Sequence, residues 1–191
     1  MRLDVALLPE RVDRGALSRA AVLVVDVLRA STTMIAALGN GCAGIVPVSD
    51  PDEAHRRARA LGAGALVAGE RKGLMIEGFD LGNSPLEMTR ERVGGKTLVF
   101  TTSNGTAALL AARGAAAVGV AALVNLSAAT AWARGHGRDV TVICSGDRGN
   151  VSLEDIVCAG LLIDALLGQE PAAALTATAS LAVSVNAADG S

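Results

Sequence analysis

The sequence predicts an α/β fold in which two related strand–loop–helix units pack as one layered α/β domain. Short runs of β-branched residues alternate with Ala- and Leu-rich stretches along the 191 residues, and this alternation is the pattern of α/β proteins. Hydrophobic residues make up 51% of the chain and charged residues 19%, a balance typical of a packed core and not of a disordered chain. Polar loops follow the apolar runs at regular intervals.

The first unit is predicted to contain three strands and two helices. It begins with the apolar run AVLVVD over residues 21–26, which is typical of a buried strand. The second helix starts at Asp50-Pro51, because an acidic capping residue followed by proline favours the first turn of a helix. The remaining predicted elements, in chain order, are a helix over 32–38, a strand over 45–48, a helix from 51 to about 62 and a strand over 65–68.

The second unit repeats this order. Its predicted elements are a strand over 97–101, a helix over 107–112, a strand over 118–124, a helix over 128–134 and a strand over 140–144. Taking the first strand to start at residue 22, the strand starts of the two units are spaced by 75, 73 and 75 residues. This steady spacing indicates a duplicated scaffold with a site between its halves. An unduplicated α/β chain can show similar spacings, so both interpretations stay open.

The domain organisation follows from these two units. We expect a single domain over residues 1–191, with two lobes over about 1–75 and 95–170 as the alternative. The segment over 70–92 is rich in glycine and charge, and long irregular segments in compact domains are typically functional loops. The tail after Gly168 can form a helix whose continuation is absent.

Composition excludes several classes of protein. The net charge is −2 and aromatic residues are 2% of the chain, so we expect no nucleic-acid partner. The three cysteines are odd in number and widely spaced, which favours a reducing, cytoplasmic location over a disulfide framework. The sequence shows no signal peptide, and Gly, Asn and Ser interrupt its uncharged stretches, so we expect no membrane segment. The oligomeric state stays open between a monomer and a homodimer.

The loop after the first strand has the residues of an anion and metal site. Asp26 offers the oxygen ligands that Mg²⁺ prefers, and Arg29 can form a charge-assisted fork to phosphate. Ser31 and Thr32 add hydroxyls at the start of a helix, where free N–H groups favour an anion. The structural alternative is that Ser31 caps the helix and Asp26 pairs with Arg29.

The equivalent loop of the second unit is almost entirely polar. Hydroxyl and amide side chains with one glycine suit an oxyanion cradle, and the residues concerned are Thr102, Ser103, Asn104, Gly105 and Thr106. The alternative is an ordinary capped helix start.

Further acids and polar residues lie in three other loops. Glu70 and Arg71 end the third strand, and Asn83 and Ser84 lie in a turn-forming run; solvated surface loops are the alternative for both. Glu154 and Asp155 give adjacent carboxylates at a helix start, where a metal could bind. The alternative here is that Asp155 forms a capping box with Ser152.

Five motifs together carry a family resemblance. The phosphate loop of Walker nucleotidases and the nucleophile elbow of esterases are both absent from the sequence. Instead, the chain resembles the 2-phosphosulfolactate phosphatase family in VDVLRASTT (25–33), GER (69–71), GFDLGNSP (78–85), TTSNGT (101–106) and SLEDIVCAG (152–160). The resemblance implies a family-specific α/β fold. It implies a shortened C-terminal segment as well, since chains of the family generally continue past the equivalent of Ser191. It also implies a Mg²⁺-dependent hydrolase that removes phosphate from 2-phosphosulfolactate, a step toward coenzyme M.

With the resemblance, each candidate residue receives an expected role. The catalytic residues are Asp26, Arg29 and Asp155, and the metal ligands are drawn from Asp26, Glu70, Glu154 and Asp155. The expected substrate-binding residues are Ser31, Thr32, Arg71, Asn83, Ser84, Thr102, Ser103, Asn104, Gly105 and Thr106. The substrate is expected to be a small phosphorylated acid, with a sulfonate if it matches the family name. Asp26 can act as ligand, general base or nucleophile; our hypothesis is direct attack by water.

Two alternatives to this enzyme stay open. One is a non-catalytic anion-binding protein derived from the same family. The other is a structural α/β domain whose acids and arginines merely pair with each other.

Overall fold

The fold combines two sheets with helices packed around them. A computed structural model describes residues 1–187. The strands are β1 (Arg2–Ala6), β2 (Ala20–Val25), β3 (Gly44–Pro47), β4 (Ala65–Arg71), β5 (Leu74–Met75), β6 (Thr97–Thr101), β7 (Ala117–Ala121), β8 (Asp139–Cys144) and β9 (Ala174–Leu175). The helices are α1 (Arg14–Leu17), α2 (Ala30–Gly39), α3 (Pro51–Leu61), α4 (Arg90–Val93), α5 (Gly105–Ala111), α6 (Leu126–Gly135), α7 (Leu153–Leu167) and α8 (Ala177–Ala187).

The predicted α/β class is confirmed, and the two sheets show how the units combine. One sheet has the order β7-β2-β8-β1-β9 and is parallel throughout. The other has the order β3-β6-β4-β5, in which only β5 is antiparallel. Each unit therefore places its first strand between the second and third strands of the other unit.

The strand registers support the duplication. In one sheet, Ala21 of β2 lies opposite Ala117 and Val140. In the other sheet, Thr97 of β6 lies opposite Gly44 and Ala65. The equivalent residues of the two triplets are 73 to 76 positions apart, so the pairing pattern itself is repeated.

The first strand of each unit, β2 or β6, lies between two other strands of its sheet and is largely buried because other elements cover both of its faces. All six residues of β2 are buried, and parallel strands covered on both faces are typically continuous apolar runs. On one side, β2 and β8 pack against α6 and α7 through a core that includes Leu23, Val142 and Leu162. Phe100 of β6 lies in a second core with Met34 of α2.

Several boundaries differ from the sequence prediction. β1 was not predicted, because its pairing with β8 and β9 is formed only in the folded chain. The strand predicted over 118–124 ends at Ala121, since the Asn125 Oδ1 accepts a hydrogen bond from the Ala122 N–H and turns the chain. The predicted C-terminal helix is α8, which packs against Gly160 of α7.

Two further expectations concern the whole chain. Within residues 1–187, every helix is too short or too polar to cross a bilayer. All three cysteines are buried and free of disulfides. The division into one domain or two lobes stays a prediction.

Candidate active site

The loops after four strands, two from each sheet, meet around one cavity of about 250 Å³. Ligands in α/β proteins bind beyond the carboxyl ends of parallel strands, and this cavity lies at such a position. We call it the acidic cavity. Its lining residues are Asp26, Leu28, Arg29, Glu70, Lys72, Gly73, Asn83, Ser103, Asn104, Ser145, Gly146, Asp147, Arg148, Ser152, Glu154 and Asp155.

Asp26 follows β2 directly and is buried. Its Oδ1 accepts a hydrogen bond from the Ala30 N–H at 3.1 Å, so the first turn of α2 fixes the carboxylate. Ser31 Oγ accepts from the Asp26 N–H at 3.0 Å and donates to the Val24 carbonyl. Burial, and then the negative charge of Asp155, raise the pKa of Asp26 to about 6. The carboxylate is therefore costly to keep ionised without a cation.

Asp155 lies in the first turn of α7 and is also buried. Its carboxylate accepts hydrogen bonds from the Val27 N–H at 2.9 Å, the Gly146 N–H at 3.1 Å and the Ser145 Oγ at 3.1 Å. Burial raises its pKa despite these donors. Asp155 thus joins the loops after β2 and β8, and the capping-box alternative is wrong because the Ser152 side chain makes no cap hydrogen bond.

Glu70 has the equivalent role for the other sheet. Its carboxylate accepts from the Ser103 N–H at 2.6 Å and from the Gly73 N–H at 2.7 Å. Gly69, with φ of +150°, precedes it, and a Cβ at Gly69 would collide with the Thr101 carbonyl. This position therefore requires glycine, and the close approach of β4 to β6 brings Glu70 to the acidic cavity.

The polar loops after β2 and β6 have the same pattern of hydrogen bonds. Thr106 Oγ1 accepts from the Thr102 N–H at 2.8 Å, as Ser31 Oγ does from the Asp26 N–H. The Thr106 N–H donates to Thr102 Oγ1 at 3.1 Å, as the Ala30 N–H does to Asp26. Asp26 and Thr102 are therefore equivalent positions of the two units, and the first unit has a carboxylate where the second has a hydroxyl.

The starts of α2 and α5 are in contact at Gly105. A Cβ added at Gly105 would lie 2.6 Å from Ala30 Cβ and 2.6 Å from Asp26 Oδ2. Glycine at this position lets the two loops approach each other and leaves room for the Asp26 carboxylate.

Cations surround the acidic cavity without pairing with its buried acids. Arg29 is exposed, and its Nη2 donates to the Gly73 carbonyl at 3.3 Å. Among residues 1–187, no Lys, Arg or His nitrogen lies within 4.0 Å of a carboxylate oxygen of Asp26, Glu70 or Asp155. The alternative in which Asp26 pairs with Arg29 is therefore wrong.

The donor set of the acidic cavity fits Mg²⁺. Within the described part of the chain, no group of three or more His, Cys, Asp or Glu side chains is placed to hold a metal. Mg²⁺, however, is typically held by one or two carboxylates together with waters and substrate phosphate. The buried Asp26 and Asp155 supply two carboxylates, and Asn83 Oδ1 is buried without a hydrogen-bond partner within residues 1–187.

The predicted site residues fall into three groups. Eight line the acidic cavity: Asp26, Arg29, Glu70, Asn83, Ser103, Asn104, Glu154 and Asp155. Arg71, Thr102 and Thr106 line a neighbouring cavity, which Ser103 also lines. Ser31, Thr32, Ser84 and Gly105 line neither of these two cavities. Ser31 and Thr32 donate instead to the carbonyls of Val24 and Val27.

Sequence reasoning missed five polar lining residues, Lys72, Ser145, Asp147, Arg148 and Ser152, the last of which was considered only as a helix cap. A signal for two of them was present. Lys72-Gly73 and Arg148-Gly149 follow the third strand of their units and are 76 residues apart, which agrees with the spacing of the strands.

Comparison with known proteins gives a consistent result. The model of a family described as 2-phosphosulpholactate phosphatase matches residues 6–189. A Clostridium acetobutylicum protein called "Probable 2-phosphosulfolactate phosphatase" is 34% identical over 182 residues, or 95% of this chain and 77% of the relative. Proteins of the same name from Clostridium tetani and Symbiobacterium thermophilum are 39% and 43% identical, covering 87% and 78% of this chain and 71% and 64% of the relatives.

Proposed function

Because the chain belongs to the 2-phosphosulpholactate phosphatase family, a family of phosphoric monoester hydrolases, we propose that it hydrolyses 2-phosphosulfolactate, or a similar small phosphorylated acid, with Mg²⁺. The products are phosphate and, from 2-phosphosulfolactate, sulfolactate. One observation carries the proposal: Asp26 and Asp155 are buried in one cavity without a cationic partner among residues 1–187.

The acidic cavity suits a phosphoryl group bound together with a divalent ion. Five carboxylates line it, with Arg29, Lys72 and Arg148 at its wall. A phosphate dianion alone would be repelled by these acids. Catalysis of phosphoryl transfer depends mainly on positioning and on charge stabilisation, and the guanidinium of Arg29 supplies donors of the right geometry.

Asp26 and Asp155 would hold the ion, with Asn83 Oδ1 as a further oxygen in the cavity. When bound, Mg²⁺ neutralises phosphoryl charge and lowers the pKa of a bound water. Asp155 fixes the loops after β2 and β8 through its three hydrogen bonds. This rigidity favours a constant geometry at the reacting phosphorus.

We assign direct attack by water. The water oxygen forms a bond to phosphorus while the ester P–O bond breaks, the attacking water loses a proton to solvent, and the leaving alkoxide takes up a proton from solvent.

We also propose a cytoplasmic location and a role in coenzyme M synthesis. The three free, buried cysteines support a reducing compartment. The metabolic role depends on the family membership alone. A homodimer and the absence of a nucleic-acid partner stay predictions.

The test is phosphate release from 2-phosphosulfolactate by the wild-type chain, with Mg²⁺ and with EDTA. We expect release that requires Mg²⁺ and is abolished in Asp26→Asn. The matched control is Asp164→Asn, which removes an exposed carboxylate that does not line the acidic cavity and should leave turnover unchanged. No release from any small phosphorylated acid would instead support the non-catalytic anion-binding protein.

A further inference from the structure

A second cavity adjoins the acidic one and has the opposite charge. We call it the basic cavity; its volume is about 510 Å³. Its polar lining includes Arg71, Lys72, Arg148 and the hydroxyls of Thr102, Ser103 and Thr106, and none of the described residues that line it carries a carboxylate. Cations and hydroxyls without acids are typical of a site for an anion that needs no metal.

Lys72 and Arg148 connect the two cavities, because both residues line both of them. They are also the only non-glycine residues with positive φ within residues 1–187, at 55° and 50°. A left-handed backbone is unfavourable for residues with long side chains, and such residues cluster at functional sites. The duplicated loops after β4 and β8 thus each present a cation between the cavities.

Arg71 forms the inner wall of the basic cavity. Its Nη2 donates to the Thr101 Oγ1 at 2.8 Å and the Ser49 carbonyl at 3.0 Å, and its Nη1 donates to the Glu70 carbonyl at 2.7 Å. A guanidinium has five N–H donors, so these three hydrogen bonds hold the group in place and leave donors for a ligand.

We infer that the basic cavity binds the sulfonate of the substrate, while the phosphate lies in the acidic cavity. This inference rests on the proposed function, which supplies the reacting end. The reaction needs the carboxylates of the acidic cavity, so the phosphate must lie there. The sulfonate does not react and is bound in the basic cavity, whose lining has no carboxylate. On the three-carbon skeleton of 2-phosphosulfolactate the phosphate and the sulfonate are close together, as are two cavities that share Lys72, Ser103 and Arg148.

The variants Lys72→Asn and Arg148→Asn test this inference. Asparagine tolerates the left-handed backbone better than most residues, so each variant removes the charge with little change in the loop. Lys72→Arg restores the charge. Arg134→Ala is the control, because it removes an exposed cation that lines neither cavity. Arg148 Nε also lies 3.7 Å from Asp147 Oδ1, so Lys72 gives the cleaner comparison.

The first measurement is the Kd of sulfolactate by calorimetry with Mg²⁺ present, which does not depend on turnover. We expect the Kd to rise about tenfold or more in each asparagine variant, since a hydrogen bond to a charged group is typically worth such a factor. The Kd should stay within about threefold of wild type in Arg134→Ala and in Lys72→Arg. An unchanged Kd in both asparagine variants, or no binding to the wild-type protein, overturns the inference.

The second measurement separates this inference from the proposed function. In the asparagine variants, kcat/KM should fall about tenfold further for 2-phosphosulfolactate than for phospholactate, which lacks the sulfonate. An equal fall for both substrates assigns the cations to the phosphate or the carboxylate, which both substrates carry, and overturns the inference, although the hydrolase remains. If the wild-type chain releases no phosphate but binds sulfolactate through Lys72, the proposed hydrolase activity is wrong and the inferred sulfonate site is retained.

Discussion

Asp26→Asn should stabilise the metal-free protein at neutral pH. The ordinary pKa of an Asp carboxyl is 3.8, and in the folded chain the pKa of Asp26 is raised to about 6. Each pKa unit corresponds to about 1.4 kcal/mol, so the ionised carboxylate lowers the free energy of unfolding by about 3 kcal/mol at neutral pH. Asparagine retains an Oδ1 for the Ala30 N–H and removes the charge.

The pH dependence has a definite sign. The folded state binds the Asp26 proton more tightly than the unfolded chain, because burial and Asp155 disfavour the charged form. The stabilisation from this proton is complete below about pH 4 and is lost as the pH rises through about 6. Wild type should therefore lose up to about 3 kcal/mol relative to Asp26→Asn across this interval.

Urea unfolding in EDTA at a series of pH values measures this difference. Subtracting the free energy of unfolding of Asp26→Asn from that of the wild type at each pH removes the pH dependence that comes from most other carboxyl groups. Adding Mg²⁺ at neutral pH should raise the Tm of the wild type much more than that of the variant, because ligands of the folded state stabilise it by mass action. An Asp26→Asn protein that is equally or less stable than wild type at neutral pH in EDTA would refute the reasoning.

Two further predictions concern the neighbours of Asp26. Gly105→Ala places a Cβ 2.6 Å from Ala30 Cβ and Asp26 Oδ2, so thermal unfolding should show a loss of about 1–3 kcal/mol, together with lower turnover. Gly135→Ala, whose Cβ would meet no atom within 4 Å, should be neutral within about 0.5 kcal/mol, and equal stability of the two variants would contradict the contact. Arg29→Ala should lower kcat/KM by a similar factor, about tenfold, for 2-phosphosulfolactate and phospholactate, because Arg29 lines the acidic cavity. If steady-state kinetics show a fall in kcat/KM for 2-phosphosulfolactate alone, Arg29 contacts the sulfonate and not the phosphate.

The buried strands were predictable because their apolar residues are consecutive in the sequence. β2, β6 and β8 are short apolar runs followed by polar loops, and their predicted bounds agree with the structure within one residue. The exchange of first strands between units was not predictable, since it depends on which strand edges pair in three dimensions. The regular spacing of the units indicated duplication but not this exchange.

Part of the site was predictable because the loops that follow parallel strands lie at the same edge of a sheet. Asp26, Arg29, Asn104 and Asp155 all line one cavity, as their positions in the predicted units suggested. That Asp155 joins the loops after β2 and β8 was not predictable, because its hydrogen bond to the Val27 N–H joins residues 128 positions apart. The spacing of Lys72 and Arg148 was visible in the sequence, but their left-handed backbone is a property of the folded loops.

The most direct test of the account is the position of a divalent ion in a crystal of this protein grown with Mn²⁺ and orthovanadate. Anomalous scattering from Mn²⁺ locates the ion without assumptions about its ligands. We expect it in the acidic cavity, bound by oxygens of Asp26 and Asp155, with vanadate beside it and within reach of Arg29. An ion bound elsewhere, or vanadate bound away from the acidic cavity, would contradict the account.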